Sequence, residues 1–125
     1  MELKTLSEIE IISAASSKIN EVDFENLTFG NVFTDHMLVC DYKDGAWQKP
    51  VIEPYAPFMI DPSSKVFHYG QAIFEGMKAY KDEQDDVWLF RPDENFHRFN
   101  KSASRMAMPE VPEDIFMGGL HKLLE

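Results

Sequence analysis

The stretch Phe67-His68-Tyr69-Gly70-Gln71-Ala72-Ile73-Phe74-Glu75-Gly76 gathers three aromatic rings, one imidazole and one carboxylate around two glycines. Gly70 lets the backbone turn where a side chain would clash. The step from Gly70 to Phe74 is about one helical turn, and Gly76 suits the position that ends such a turn. The spacing therefore predicts a short helical corner presenting Tyr69 and Phe74. Tyr69 combines an apolar ring with a hydroxyl, which suits a pocket wall that also makes one hydrogen bond. Phe74 and Phe29 could line the same apolar slot. Plain core packing is the other reading of these rings, and the commoner fate of an aromatic beside a glycine.

A second group lies further on. Arg98, Lys101 and Arg105 are spaced to share one helical face, and Phe96, Phe99, Ala103 and Met106 share the opposite one. The cationic row reads either as a solvated face or as an anion site with an arginine fork for phosphate or carboxylate. Spacing alone does not select the cation. His68 could bind a metal or act as a base, with Glu75 its nearest acid in sequence. No His/Cys/carboxylate set has zinc-ligand spacing. In Thr34-Asp35-His36 the acid and the imidazole are strand neighbours and point to opposite faces, so they should not pair. No phosphate-binding glycine loop of Walker or Rossmann type is present.

Several elements must position these groups. Ser7 and Glu10 have capping-box spacing, and Ile9, Ile12 and Ile19 recur at helical intervals, which predicts a helix or arm over residues 1–20. Thr34 to Tyr42, Asp44-Gly45 and Ala46 to Ile52 read as a hairpin, with Pro50 ending the pairing early or marking an edge. Phe58-Met59-Ile60 reads as a short buried strand before the turn Asp61-Pro62-Ser63-Ser64. Met77 to Tyr80 and Val87 to Phe90 read as strands joined by a charged tip. A helix capped by Asp93 should run from Glu94 to about Ala107, and another from Glu113 to Leu124, weakened by Gly118-Gly119. The expected fold is a two-layer α+β sandwich, a mainly antiparallel sheet with helices on one face. Residues 1–26 would form an arm and 27–125 one small domain.

Composition narrows the function. The chain has 125 residues and a formal net charge of −10, so it repels nucleic acid and anionic membranes unless its 12 Lys and Arg are concentrated. No apolar run is long enough to span a bilayer and no signal-peptide pattern opens the chain. Cys40 is the one cysteine, which permits no internal disulfide and fits a reducing cytosol. Cys40 should pack in a strand.

Three separated motifs then occur in a telling order. They are Phe29-Gly30-Asn31-Val32-Phe33-Thr34-Asp35-His36-Met37; Phe67-His68-Tyr69-Gly70 with Phe74-Glu75-Gly76-Met77-Lys78-Ala79; and Leu89-Phe90-Arg91-Pro92 with Asn95 and Arg98. Together they resemble the N-terminal region of branched-chain amino-acid aminotransferases, the fold-type IV pyridoxal-phosphate enzymes, from about Leu27 onward. The resemblance implies the small α+β domain of that fold, a cytoplasmic homodimer, and transfer of the amino group of leucine, isoleucine or valine to 2-oxoglutarate. It implies that Arg98 binds the phosphate of pyridoxal 5′-phosphate. It implies that Phe29, Tyr69 and Phe74 line the pocket for branched-chain amino acids and 2-oxo acids, the tyrosine reaching toward the partner's active site.

The family's Schiff-base lysine lies in a larger, following domain, and no lysine of this chain matches it. The 125 residues are accordingly expected to be inactive alone, with no catalytic residue among them. Two rival readings stand beside this one. A D-amino-acid aminotransferase or aminodeoxychorismate lyase of the same fold differs in activity on D-alanine against L-leucine. A non-catalytic acidic binding module differs in having a gene that does not continue into a lysine-bearing domain.

Overall fold

The structure is a computed structural model and describes residues 9–125. Its described residues divide into two compact units, one up to Phe58 and the other Met59–Glu125. The anticipated boundary at 26/27 falls inside the first.

The first unit is built on β5 (Val51–Pro54). It pairs antiparallel with β2 (His36–Val39) on one side and parallel with β1 (Glu10–Ile11) on the other. Ile11, Ile52 and Leu38 thus align in one row across the three strands. Ile52, in the middle of that row, is 3% exposed. Beyond β2 the chain continues into a ribbon, β3 (Tyr42–Lys43) against β4 (Ala46–Trp47). Asp44 (φ 52°) and Gly45 (φ 77°) both take the positive φ that a two-residue hairpin turn demands. Val39 pairs with Val51 and Tyr42 with Trp47, so a step of three residues on one arm faces a step of four on the other. The extra residue falls at Gln48–Pro50, where Pro50 has no N–H to donate; the ladder is interrupted there as a bulge. Cys40 lies at the same break, half-buried, its thiol donating to the Gln48 carbonyl at 3.2 Å. Burial, and secondarily the Asp41 charge, push that thiol's pKa up, which disfavours the reactive thiolate.

The helix expected over residues 1–20 is not formed from Ile9 onward; its Ser7 cap lies outside the described residues. Glu10–Ile11 joins the sheet, followed by a single 3₁₀ turn at Ile19–Glu21. The reason is competition for backbone partners. Ile12 N–H donates to the Ile52 carbonyl at 2.8 Å and Ala14 N–H to His36 Nε2 at 3.0 Å. The thin apolar stripe offers a helix nothing comparable to pack on. Asp35 completes the tie by accepting from Ser17 Oγ (2.6 Å) and Lys18 N–H (3.0 Å). The Ser17 bond, then the Lys18 one, lower its pKa. Thr34-Asp35-His36 is therefore a fastening for residues 14–18, and its acid and imidazole do turn to different partners.

Phe58-Met59-Ile60 is neither a strand nor buried. It carries Pro57 before it and Pro62 after it, and the border between the two units runs through it.

In the second unit the turn after Asp61 forms as expected, Ser64 N–H donating to the Asp61 carbonyl at 2.9 Å. It feeds α1 (Lys65–Tyr69), which ends at Gly70 in the left-handed conformation (φ 60°). The helical turn thus precedes Gly70 and does not follow it, because a left-handed residue terminates a right-handed helix. From Gln71 to Met77 exposure alternates: Gln71, Ile73, Glu75 and Met77 are half-buried, and Ala72, Phe74 and Gly76 are exposed. That is the two-residue period of extended chain. β6 (Ala79–Lys81) and β7 (Val87–Leu89) form an antiparallel ribbon. Asp82 organises its tip, accepting from Gln84 N–H, Asp86 N–H and Trp88 Nε1–H.

α2 (Pro92–Arg105) starts two residues before the Glu94 that an Asp93 cap would give it. Pro92 occupies the first helical position, where its missing N–H costs nothing, and Arg91 is the left-handed residue before it (φ 48°). α3 spans Glu113–Leu124 as the sequence predicts. Phe116 of α3 sits 5.5 Å from both Phe96 and Phe99, on the apolar face of α2 that also carries Ala103, 1% exposed. Gly118 and Gly119 are buried; without side chains they suit close packing, which offsets their poor helix propensity. Asn100 clips the intervening loop by exchanging two 2.8 Å bonds with the Val111 backbone.

Among the described residues the strands thus make one three-stranded sheet and two ribbons, with three α-helices, an α+β arrangement. Truncating the centre of the sheet, Ile52→Ala, is expected to lower the first unit's stability by roughly 2–5 kcal/mol. Urea unfolding followed by Trp47 fluorescence, in a Trp88→Phe background, measures it; a change under about 1 kcal/mol would show that this row is not the unit's core.

Candidate functional site

The extended segment 71–77 runs along α2 in the opposite direction. Gln71 Nε2 donates to the Met106 carbonyl near the end of α2 (2.9 Å), and Asn95 Nδ2 donates to the Gly76 carbonyl near its start (3.2 Å). Between these ties sits a doubly bonded ion pair. Arg98 Nε donates to Glu75 Oε1 at 2.6 Å and Arg98 Nη2 to Glu75 Oε2 at 2.7 Å. This is a bidentate fork, the geometry that makes arginine–carboxylate pairs strong and directional. Asn95 Nδ2 adds a third donor to Oε2 at 2.6 Å.

The two partners differ sharply in exposure. The Glu75 side chain is 7% exposed and that of Arg98 is 67% exposed. Glu75 is thus rooted beneath the surface and Arg98 lies over it. Bonding from Arg98, aided by Asn95 and opposed by desolvation, lowers the Glu75 carboxyl from the ordinary 4.5 to about 2.

Beside this pair lies an open hollow. Ala72, Ile73 and Phe74 form one side, and Arg98, Lys101, Arg105 and Met106 of α2 and its end form the other. The cationic row of the helix therefore turns toward a concavity. Arg98 is charge-compensated by Glu75, whereas among the described residues Lys101 and Arg105 enter no ion pair. The hollow therefore brings three cations, the Ser102 and Ser104 hydroxyls and the Glu110 carboxylate beside apolar side chains, an arrangement in which positive charge is in excess and an anionic group is favoured.

Of the four residues singled out from sequence, Arg98 and Phe74 line this hollow. Phe74 is 88% exposed. Tyr69, the last residue of α1, is 80% exposed and is not among the lining residues. Phe29 belongs to the first unit, next to Gly30 with its positive φ of 78°, and is fully exposed. His68 Nε2 bonds to the Pro62 carbonyl at 2.9 Å, closing the turn before α1.

Sequence reasoning named Glu75 only as the acid nearest His68 and Asn95 only as part of a motif, and missed that both meet Arg98's site: Glu75 bonds to Arg98 and Asn95. Asn95 and Arg98 are one helical turn apart, so two donors facing one acceptor could have been anticipated. Nothing in the spacing says which of 22 acidic residues would meet them.

No family model matches the chain. Among curated proteins it is similar to branched-chain-amino-acid transaminase 1 of Bacillus subtilis (strain 168), 52% identical over 104 residues, or 82% of this chain and 29% of that protein. It is similar to branched-chain-amino-acid aminotransferase 2 of the same organism, 46% identical over 114 residues, 90% of this chain and 31% of that one. A third relative is the branched-chain-amino-acid aminotransferase of Mycolicibacterium smegmatis, 42% identical over 111 residues, 88% and 30%. The chain spans less than a third of the length of these relatives.

The depressed Glu75 carboxyl makes a pH prediction. Its folded pKa lies below the unfolded one, so the pair's stabilisation is complete above about 4.5 and is lost as pH falls toward 2. Denaturation of the second unit followed by Trp88 fluorescence, in a Trp47→Phe background, should show stability declining through this window, and Glu75→Gln should flatten that part of the profile. An unchanged slope in the variant would mean that other carboxylates set it.

Proposed function

The chain belongs to the branched-chain aminotransferase family, and from that premise we propose that it is part of an enzyme moving the amino group of leucine, isoleucine or valine to 2-oxoglutarate with pyridoxal 5′-phosphate as cofactor. The reading extends to a cytoplasmic homodimer. No helix among the described residues is long and apolar enough to cross a membrane.

The observation that carries the proposal is the sharing of one hollow by Arg98 and Phe74. The donor set fits a phosphate. A guanidinium has five N–H donors, and Glu75 takes one from Nε and one from Nη2. The end-on fork formed by Nη1 and the second Nη2 hydrogen is left for an anion. Lys101 and Arg105, one and two turns along the same face, add positive charge. In this role Arg98 orients the cofactor by its phosphate. Phe74, with Tyr69 and Phe29, excludes water from the branched side chain of the substrate. The exposure of these rings supports a pocket completed by other parts of a longer protein, since isolated large apolar surfaces mark contact sites.

When bound, pyridoxal phosphate supplies the electron sink that lets an amino group be transferred. It must be anchored by a lysine amine held out of water in a fixed geometry over the cofactor. Lys65, Lys78 and Lys101 are all exposed to water. The residues of this chain bind and orient, and the anchoring amine belongs elsewhere in the enzyme.

In the full-length enzyme Phe74→Ala is expected to reduce kcat/KM for leucine on the order of tenfold while affecting glutamate less, because the lost contacts are with the branched side chain. Equal losses for both substrates would remove Phe74 from the pocket. The 125-residue chain alone, incubated with pyridoxal phosphate and leucine, should yield no keto acid; appreciable turnover would overturn the division of labour.

A further inference from the structure

The Glu75–Arg98 pair poses a physical puzzle. A carboxylate bonded to a guanidinium cancels positive charge, and so weakens its pull on a phosphate. Yet the carboxylate is the rooted partner, 7% exposed, and the guanidinium the 67% exposed one. An arginine side chain has several rotatable bonds and loses much entropy when fixed. An exposed arginine without an anchor would sample many orientations, few of them facing one anion.

We propose that Glu75 is a positioning residue for the cofactor phosphate, holding Arg98 by its side-on fork so that the end-on fork points to the anion. The assignment rests on the reading of Arg98 as the phosphate-binding residue. Three features carry it. The contact is bidentate, at 2.6 and 2.7 Å, which fixes the plane of the guanidinium as well as its position. Glu75 is itself oriented by Asn95, whose Nδ2 donates both to Glu75 Oε2 (2.6 Å) and to the Gly76 carbonyl (3.2 Å). One helix therefore supplies the arginine and, a turn earlier, the residue that sets its anchor. Finally, Lys101 and Arg105 together outnumber the one lining carboxylate, Glu110, so the hollow keeps an excess of positive charge after Arg98 has been neutralised and attraction need not come from Arg98's net charge. Arg98 then contributes direction and its neighbours contribute field.

The test compares two ligands that differ in the phosphate alone, pyridoxamine 5′-phosphate and pyridoxamine, binding to the full-length apoenzyme and followed by tryptophan fluorescence. Glu75→Gln is expected to weaken the phosphate-bearing ligand on the order of tenfold, the scale of a misplaced binding group, and to leave pyridoxamine unchanged. Arg98→Met should do the same or more. The double variant should bind no more weakly than Arg98→Met alone, since Glu75 acts through Arg98. Glu75→Asp, which keeps the charge, should recover part of the loss. Should Glu75→Gln not fold, Asn95→Ala should give the same ligand-selective loss in smaller measure.

Equal weakening of both ligands by Glu75→Gln, or additive losses in the double variant, would overturn the positioning role while leaving Arg98 on the phosphate. Tighter phosphate binding in Glu75→Gln would overturn it too, because neutralisation would then outweigh orientation. If Arg98→Met leaves the phosphate preference intact, the underlying reading of Arg98 fails, and this proposal with it.

Discussion

Two short bonds between one carboxylate and one guanidinium organise the second unit. Among the described residues the segment 71–77 has no strand beside it, and its backbone makes no ladder of hydrogen bonds with them. What keeps it along α2 is a set of side-chain ties at intervals: Gln71 to the Met106 carbonyl, Glu75 to Arg98 and Asn95, and Asn95 to the Gly76 carbonyl. Glu75 is the central tie, its side chain 7% exposed. Because successive residues of an extended segment face opposite ways, an inward Glu75 obliges Phe74 and Gly76 to face outward. The exposure of Phe74 therefore follows from the placement of its neighbour. The same contact decides how the guanidinium lies over the hollow.

Around that contact the rest of the unit serves as support. Phe116 between Phe96 and Phe99 fixes the rotation of α2 about its axis. Once the apolar face is committed to α3, the row Arg98, Lys101 and Arg105 must turn the other way, toward the hollow. Gly70, left-handed, stops α1 and releases the chain into the extended segment. In the first unit the comparable organiser is β5, whose Ile52 is paired on both sides. Each unit nonetheless keeps large hydrophobics in water, Phe29, Tyr69, Phe74 and Phe90 among them. Surfaces of that kind accord with a chain spanning less than a third of its relatives' length.

On the proposed reading, the site divides its labour between field and direction. In an acidic chain, cations have to be concentrated to attract an anion at all. A helix does this economically, since residues three and four apart share a face. Concentration alone produces a diffuse field, and specific recognition needs at least one donor pair held in a plane. Placing a buried carboxylate under the first cation of the row supplies that plane, and partial loss of attraction accompanies it. Lys101 and Arg105, free of ion pairs among the described residues, retain theirs.

Much of this was legible in the order of residues. Both long helices follow from local causes: apolar residues at helical spacing, Pro92 where a missing N–H is harmless, and Pro109 and Pro112 where a helix cannot continue. The hairpin at Asp44-Gly45 is equally local, because positive φ at two successive residues selects those residue types. The family, too, is carried by linear motifs. What the order of residues left open depended on distant partners. A sheet edge at β5 and an imidazole at position 36 captured residues 10–14, which by themselves read as helix. Phe58-Met59-Ile60 had the composition of a strand but pairs with no strand among the described residues. Gly70 ended a helix it might equally have begun, the choice being set by the turn after Asp61. Above all, the identity of the acid beneath Arg98 was a matter of tertiary structure. A carboxylate's partner is fixed by where two chain segments cross, and no periodicity within either segment records that crossing.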